Sequence, residues 1–348
     1  MWLGQIAAVI RLEMKKTFLS RRGLWVYLLA LAPVAVTTIH SLVELSGAEE
    51  RRVLAGARPV SADLLQGVTK GMTTAEVQSR AGEPHVKAEF GKRGFYQYTD
   101  GRDLYTFSLL EGKVFRINRR TRDTVQQDTL IFASIFQFFF LRLAIFFGCV
   151  GGVHEFVSWR TARQEFALLP ADAAAAREVL VIGKYLAGLI ATIVIFTTST
   201  ALQMWTLSWH FEKSEIAAYM DGPGWGHALS YLGVTVLACV GYGSVFLAAG
   251  LLFKNPIIPA AIVEVWESAN IFLPAALKQV SVIFYLQSLC PIVASPDENL
   301  NRFLKLLVNA AEPVSAPVAI GGLLVLTLVI LAFAGRLARG LEINYSTD

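Results

Sequence analysis

Residues 130–153 read LIFASIFQFFFLRLAIFFGCVGGV, and this stretch decides the class of protein to which the chain belongs. Its only charged residue is Arg142. The hydrocarbon core of a bilayer is about 30 Å thick, so a helix that crosses it needs about 20 mostly apolar residues. The stretch therefore predicts a membrane-spanning helix.

The rest of the chain agrees with that interpretation. It has 348 residues, of which 54% are hydrophobic and 17% charged, with a mean hydropathy of +0.50, whereas about a quarter of a soluble domain is charged. A run at Val280–Ala294 contains Pro291 and is too short to cross comfortably, so it predicts a re-entrant or interfacial helix. Six segments have spanning length: Leu24–Val43, Leu130–Val153, Tyr185–Leu207, Leu229–Phe253, Pro256–Leu277 and Ala316–Gly335.

The positions of the cations predict the orientation. With six crossings, the basic clusters at the span ends all fall on one side, which the positive-inside rule makes cytoplasmic. These cations are Lys15, Lys16, Arg21, Arg22, Arg160, Arg163, Arg177, Lys184, Lys254, Arg336 and Arg339. The N-terminus and the tail 336–348 are therefore predicted inside. The fold class is mainly α, a polytopic membrane protein with six transmembrane helices and a small α+β extracytoplasmic domain between the first two.

Residues 1–20 form an amphipathic pattern before the first span at 24–43. Ile6, Ile10, Met14 and Phe18 recur every four residues, which predicts a cytoplasmic interface helix. Such a helix can lie on the membrane surface or pack on the protein's own spans, and the sequence leaves both open.

Residues 46–128 are polar and long enough for a small outer domain. Thr73 followed by Glu76 predicts a capping box at a helix start, and Gly82 with Pro84 predicts its end. Three runs then predict β-strands separated by Asp-Gly and Glu-Gly turns: FYQYT, DLYTFSLL and KVFRIN.

This segment resembles the BamE/SmpA-like fold. The matching positions are Gly71, Met72, Thr73, Val77, Gly82, Pro84, Tyr96, Tyr98, Phe107 and Gly112–Val114. The resemblance implies a module that binds an envelope protein or ligand and carries no chemistry of its own. The alternative is an unrelated α+β insertion that uses common capping and turn rules.

The segment 154–184 is predicted to face the cytoplasm between the second and third spans. Phe166, Leu168 and Leu169 stand among charges, and Pro170 ends the short helix that carries them. Two membrane helices joined by such a helix can receive force from a cytosolic partner. Residues 280–312, before the last span of the region 130–335, are predicted to form short external helices.

Glu155, Thr161, Leu168, Leu169, Pro170, Gly183 and Lys184 follow one another along the chain. Their order resembles that in the ABC type-2 permease family, the membrane subunits of ATP-driven exporters. The resemblance implies a translocation path formed by two permease copies, as a homodimer or with a paralogue. It also implies an ATP-binding cassette ATPase that docks on residues 154–184. The family usually has a glycine directly before this threonine, whereas this chain has Arg160. The resemblance therefore assigns the coupling role to the segment Trp159–Pro170 more safely than to single side chains.

No phosphate-binding loop of the form G-x-x-x-x-G-K-[ST] occurs in the chain. We therefore expect the chain to be no enzyme and to bind no cofactor, with ATP and Mg²⁺ held by the partner ATPase. The predicted location is the inner cell membrane, with the outer domain in the periplasm or outside, lipids as neighbours and no nucleic acid as a partner.

Three charged residues are predicted inside the membrane. Glu264 and Glu267 lie one helical turn apart, and Arg142 is their obvious counter-charge. They either line the path or a subunit interface, or form a structural ion pair. The histidines His40, His85, His210 and His227 are far apart in sequence, and no metal cluster is predicted.

These patterns favour the permease subunit of an ABC exporter. The alternative is a membrane-anchored envelope sensor or scaffold that acts through its outer domain without transport. A third class, an intramembrane enzyme, rests only on Glu264 and Glu267.

Overall fold

The computed structural model describes residues 4, 6–11, 23–55, 59–121, 123–150, 174–253, 257–292 and 313–340. These residues are mostly helical, with one small antiparallel sheet. The helices are α1 Gly23–Ala55, α2 Ala62–Gln66, α3 Thr74–Ala81, α4 Val125–Ser134, α5 Ala174–Leu207, α6 Lys213–Tyr219, α7 Trp225–Leu252, α8 Ile257–Ala269, α9 Ala275–Lys278, α10 Val282–Leu289 and α11 Ala316–Gly340. Helix α4 continues into a π-helical stretch at Ile135–Ile145.

Five of the described helices are long and apolar enough to cross a membrane, which is consistent with a multi-pass membrane protein. They correspond to the predicted first, second, third, fourth and sixth spans, with residues 151–153 of the second outside the described residues. Their bounds are Leu24–Gly47, Val125–Val150, Ile182–His210, Lys213–Leu252 and Ala316–Leu337.

The predicted fifth span, Pro256–Leu277, is not one helix. Helix α8 ends at Ala269 after 13 residues, a length of about 20 Å at 1.5 Å per residue. A 3₁₀ turn at Asn270–Phe272 follows, and Pro274 then begins α9. Hydropathy averaged over a window could not detect this break, and the described helices do not confirm the predicted count of six spans.

The chain divides into two compact units, which are called the helical unit and the sheet unit below. The helical unit contains Met1–Thr37, Thr129–Thr206 and Ala217–Asp348. The sheet unit contains Thr38–Asp128 and Leu207–Ile216.

Aromatic packing and buried hydroxyls join the helices of the helical unit. The rings of Phe132 and Phe136 pack edge-on against Tyr231 of α7, with centroids 4.7 and 4.8 Å away. Thr200 of α5 and Thr235 of α7 share a buried hydrogen bond of 3.0 Å. Such a bond satisfies hydroxyls that would be costly to bury alone.

The sheet unit contains four consecutive antiparallel strands: β1 Val86–Phe90, β2 Arg93–Thr99, β3 Asp103–Leu110 and β4 Lys113–Thr121. The three predicted strands are confirmed, and β1 is an addition. The capping box at α3 is also confirmed, because the Glu76 N–H donates to Thr73 Oγ1 and the Thr73 N–H donates to Glu76 Oε2. The turn between β3 and β4 has positive φ at Glu111 and Gly112, as a tight hairpin turn requires.

One face of this sheet packs against helices α2 and α3. Burial raises the pKa of Tyr98 to about 12, and its hydroxyl donates to the Gly82 carbonyl at 2.9 Å. The core consists of Leu65, Val68, Val77, Ala81, Tyr96, Tyr98, Tyr105, Phe107, Leu109 and Val114.

Candidate functional site

Glu267 is the most fully buried of the three predicted intramembrane charges, at 4% exposure. Its Oε2 accepts hydrogen bonds from the Ser281 hydroxyl and the Ile283 N–H, both at 2.8 Å. Its Oε1 accepts from the Val282 N–H at 3.1 Å, and the Tyr242 hydroxyl approaches Oε2 at 3.4 Å. The carboxylate therefore sits at the start of helix α10.

This contact gives Glu267 a structural role. The first N–H groups of a helix have no partner within the helix, and the helix dipole is positive at that end. The Ser281 side chain does not cap α10, so Glu267 supplies the acceptor from α8. A carboxylate with several donors is costly to remove and poorly suited to act as a free catalytic base.

Arg142 and Glu264 are less completely satisfied. The stretch Ile135–Ile145, which carries Arg142, contacts α8, and the Arg142 charge acts favourably on both glutamates. Glu264 Oε1 accepts from the Ser268 hydroxyl at 3.1 Å. Among the described residues, Arg142 Nε and Glu264 Oε2 have no hydrogen-bond partner although both atoms are buried. The structure thus places Arg142 and the two glutamates on elements that contact each other, and the Glu267 carboxylate is held by the first N–H groups of α10.

Most of the predicted coupling segment lies outside the described residues. This applies to Glu155, Thr161, Phe166, Leu168, Leu169 and Pro170. Gly183 and Lys184 are described, and both are buried near the start of α5.

Gly183 is the point at which the N-terminal helix meets α5. A Cβ atom at Gly183 would lie 2.8 Å from Cγ1 and 2.9 Å from Cβ of Val9. Ile10 packs beside this contact against a buried cluster formed by three helices. The cluster consists of Tyr185 and Ala187 of α5, Leu247, Ala248 and Leu251 of α7, and Ala334 of α11. The described part of the N-terminal helix therefore packs on the protein's own helices.

A second group of side chains was missed by the sequence analysis. His40 of α1, Asp128 of α4 and His210 in the 3₁₀ turn Ser208–His210 place their ligand atoms within 4.8 Å of one another. All three residues belong to the sheet unit. The sequence analysis predicted no metal cluster from these scattered histidines, but the ring centroids of His40 and His210 are 5.7 Å apart in the structure.

A signal for this group was present in the sequence. His40 precedes the end of the first span, Asp128 comes just before the second, and His210 follows the third. Helices that alternate in direction place these three positions at one membrane face. Spacing along the chain, which identifies local metal motifs, could not show it.

The surroundings of the group are acidic. Asp123 Oδ2 lies 3.8 Å from His40 Nε2. Burial raises the pKa of the Asp123 carboxyl, and the carboxylates of Glu44 and Asp128 raise it further, while His40 and His210 oppose the shift. Two imidazoles beside carboxylates are a set of groups that can hold a divalent metal ion.

Comparison with protein-family models, curated proteins and solved structures found no match to this chain.

Proposed function

We propose that the chain is the membrane subunit of an ATP-driven exporter of the ABC type. In this proposal two copies form the path, and a separate ATPase docks on the cytoplasmic segment between the second and third spans. The chain itself hydrolyses no ATP. The proposed location is the inner membrane.

The main support for the proposal is the position at which the N-terminal helix packs against three other helices. Val9 and Ile10 pack against the third and fourth turns of α5 and against residues near the C-terminal ends of α7 and α11. In the predicted topology, these are the cytoplasmic ends of three spans. Residues 154–173 directly precede α5 in the chain. A force on that segment would therefore be transmitted to α5 and to the three helices packed together with it, which are the N-terminal helix, α7 and α11.

In the proposed exporter, the charged side chains of Arg142, Glu264 and Glu267 have a role secondary to that of the cytoplasmic segment. Glu267 fixes the broken segment after α8 by capping α10. The partly exposed Glu264 is the one of the two glutamates that is available to a path or to a second subunit. This division makes Glu264 the first position to vary in a transport assay.

The test is purification from native membranes with bound partners. We expect an ATP-binding protein to co-purify, and its ATPase activity to fall several-fold when Phe166, Leu168 and Leu169 are replaced by serine. A matched control replaces Phe303, Leu306 and Leu307 by serine, because these lie on the predicted opposite face. Absence of an ATP-binding partner, or equal loss in both triple variants, would contradict the proposal.

The compact core of the sheet unit favours a second candidate function, an envelope sensor or scaffold. Phe90 on β1 is 71% exposed and Phe115 on β4 is 49% exposed, and exposed aromatic side chains are common in contact surfaces. This function is supported if Phe90→Ser and Phe115→Ser abolish capture of an envelope partner by the full chain, while vesicles carrying the chain move no substrate.

A further inference from the structure

We propose that His40, Asp128 and His210 bind one divalent transition-metal ion, with zinc as the ion to test first. The three side chains come from α1, α4 and the 3₁₀ turn after α5. The inference does not depend on the proposed transport function.

The ligand set has the right chemistry for such an ion. Two imidazoles and one carboxylate form the protein ligand set of several catalytic zinc sites, in which water takes the remaining position. Imidazole nitrogen suits Zn²⁺, Cu²⁺, Fe²⁺ and Ni²⁺, whereas Ca²⁺ and Mg²⁺ prefer sites made of oxygen atoms. The two histidines therefore favour a transition metal.

The separations between ligand atoms match those around a small ion. Zinc bonds of about 2.0–2.1 Å at tetrahedral angles place neighbouring ligand atoms about 3.3–3.4 Å apart. His40 Nε2 lies 3.3 Å from Asp128 Oδ1. His210 Nε2 lies 3.2 Å from Asp128 Oδ2. Each separation alone is close to the edge of a zinc tetrahedron, and because the two involve different oxygens of Asp128, the carboxylate would hold the ion through both oxygens or turn to offer one. With one ligand atom taken from each residue, the three atoms lie within 4.8 Å of one another.

The hydrogen bonding leaves a place for a cation. The side chains of His210 and Asp128 are each 4% exposed. Within the described residues, His210 Nε2 and Asp128 Oδ2 face each other without making a hydrogen bond to any group. Buried polar atoms without partners are rare and costly, and an ion between these two atoms would satisfy both.

A neighbouring side chain fixes the ring of His210. His210 Nδ1 lies 3.3 Å from the hydroxyl of the buried Ser41. When Nδ1–H donates to that hydroxyl, Nε2 keeps its lone pair for a metal. Metal-binding histidines commonly use their second nitrogen in this way.

The site also has access to solvent. The His40 side chain is 25% exposed and Asp123 is 27% exposed beside it, so an ion and a bound water have a route to the cluster. Asp123, at 3.8 Å from His40 Nε2, is placed to accept a hydrogen bond from a metal-bound water.

The competing account is a histidine–aspartate–histidine cluster held by protons alone. His40 Nε2 can make a hydrogen bond to Asp128 Oδ1 at 3.3 Å. That account requires a protonated His210 to form an ion pair with Asp128 Oδ2 at 3.2 Å, although those two atoms make no hydrogen bond among the described residues. The two accounts differ in whether the purified chain takes up metal.

The test measures zinc in the full chain, purified in detergent through a tag that contains no histidine. After removal of metal by a chelator and dialysis against limiting zinc, we expect one zinc per chain by elemental mass spectrometry. His40→Gln and His210→Gln should each weaken zinc binding more than about tenfold, since loss of an outer partner alone costs about 10–100-fold. His227→Gln is the matched control, because His227 pairs with Tyr219 and is not one of the three proposed ligands.

A second measurement separates loss of a ligand from misfolding. Cobalt in the unmodified chain should give the visible absorption of a tetrahedral ion. His210→Cys should keep cobalt and add a thiolate-to-cobalt charge-transfer band, which an unfolded variant would not produce at one equivalent. The proposal is overturned if the unmodified chain takes up no more zinc than the His40→Gln/His210→Gln double variant, or if His210→Cys shows no thiolate band.

Discussion

The Glu267 carboxylate accepts a 2.8 Å hydrogen bond from the N–H of Ile283, 16 residues further along the chain. This bond ties the end of α8 to the start of α10 across the break at Pro274. A charged acceptor at the N-terminus of a helix is favourable because unpaired N–H groups and the helix dipole point toward it.

Replacing Glu267 by glutamine is therefore expected to destabilise the helical unit. Glutamine keeps the shape but removes the charge, and its NH₂ group, which accepts no hydrogen bond, would face the N–H of either Val282 or Ile283. Hydrogen bonds to charged groups contribute about 1.5–3 kcal/mol each, so a loss of this order is expected. Thermal unfolding of the full chain in detergent measures it as a lower midpoint.

The matched control is Glu264→Gln, the same chemical change one turn earlier on α8. Glu264 accepts one hydrogen bond, from the exposed Ser268, so its replacement should cost about 0.5–1.5 kcal/mol. An equal or larger effect at Glu264 would mean that capping of α10 is not the main role of Glu267.

Features set by neighbouring residues could be predicted from sequence. Thr73 and Glu76 gave the capping box, and the Glu111–Gly112 turn followed from the need for positive φ. The positions of Arg142, Glu264 and Glu267 inside apolar runs were also visible.

Features set by distant contacts could not be predicted. The first N–H groups of α10 donate hydrogen bonds to Glu267 rather than to the side chain of the adjacent Ser281. Average hydropathy does not indicate which residue caps the helix. The meeting of His40, Asp128 and His210 likewise depends on how α1, α4 and the end of α5 come together. Sequence spacing identifies a metal site only when its ligands are local.

Gly183 should be sensitive to any added side chain. Gly183→Val would place atoms within contact of Val9, since even a Cβ lies 2.8 Å from Val9 Cγ1. We expect faster hydrogen exchange of residues 6–11 and a lower unfolding midpoint. Gly335→Val is the control, because an added Cβ there meets nothing within 4 Å. Equal exchange of residues 6–11 in both variants would show that this contact does not hold the N-terminal helix.

Thr73→Ala should weaken helix α3. Loss of a threonine N-cap costs about 0.5–2 kcal/mol, and hydrogen exchange of residues 74–81 in the full chain reports that cost as faster exchange. Thr74→Ala is the control, because the Thr74 side chain does not cap the helix and alanine has a high helix propensity. If Thr74→Ala accelerated exchange as much as Thr73→Ala, the capping box would not be what stabilises α3.

The same capping box predicts a dependence on pH. The Thr73 N–H, and then its hydroxyl, lower the pKa of Glu76 in the folded chain. Because the folded pKa lies below the unfolded value of about 4.3, the charged Glu76 stabilises α3 above that pH and loses its effect as the pH falls through the folded pKa. Exchange of residues 74–81, corrected for its intrinsic rate, should therefore rise on acidification. In the Thr73→Ala variant, exchange of these residues should increase less steeply as the pH falls, because Glu76 no longer receives a hydrogen bond from the Thr73 hydroxyl.

Arg119 is expected to matter more than a surface ion pair in the same sheet. Its Nε donates to Asp103 Oδ2 at 2.6 Å, and the Asp103 side chain is 1% exposed. Arg119→Met leaves that buried carboxylate without its charged donor, at a cost of about 1.5–3 kcal/mol. Lys92→Met breaks the exposed pair with Glu111 and should cost about 0.2–1 kcal/mol. Urea titration, monitored by hydrogen exchange of β3, measures the stability loss in each variant. Equal unfolding midpoints for the two variants would show that burial of Asp103 does not strengthen its pairing with Arg119.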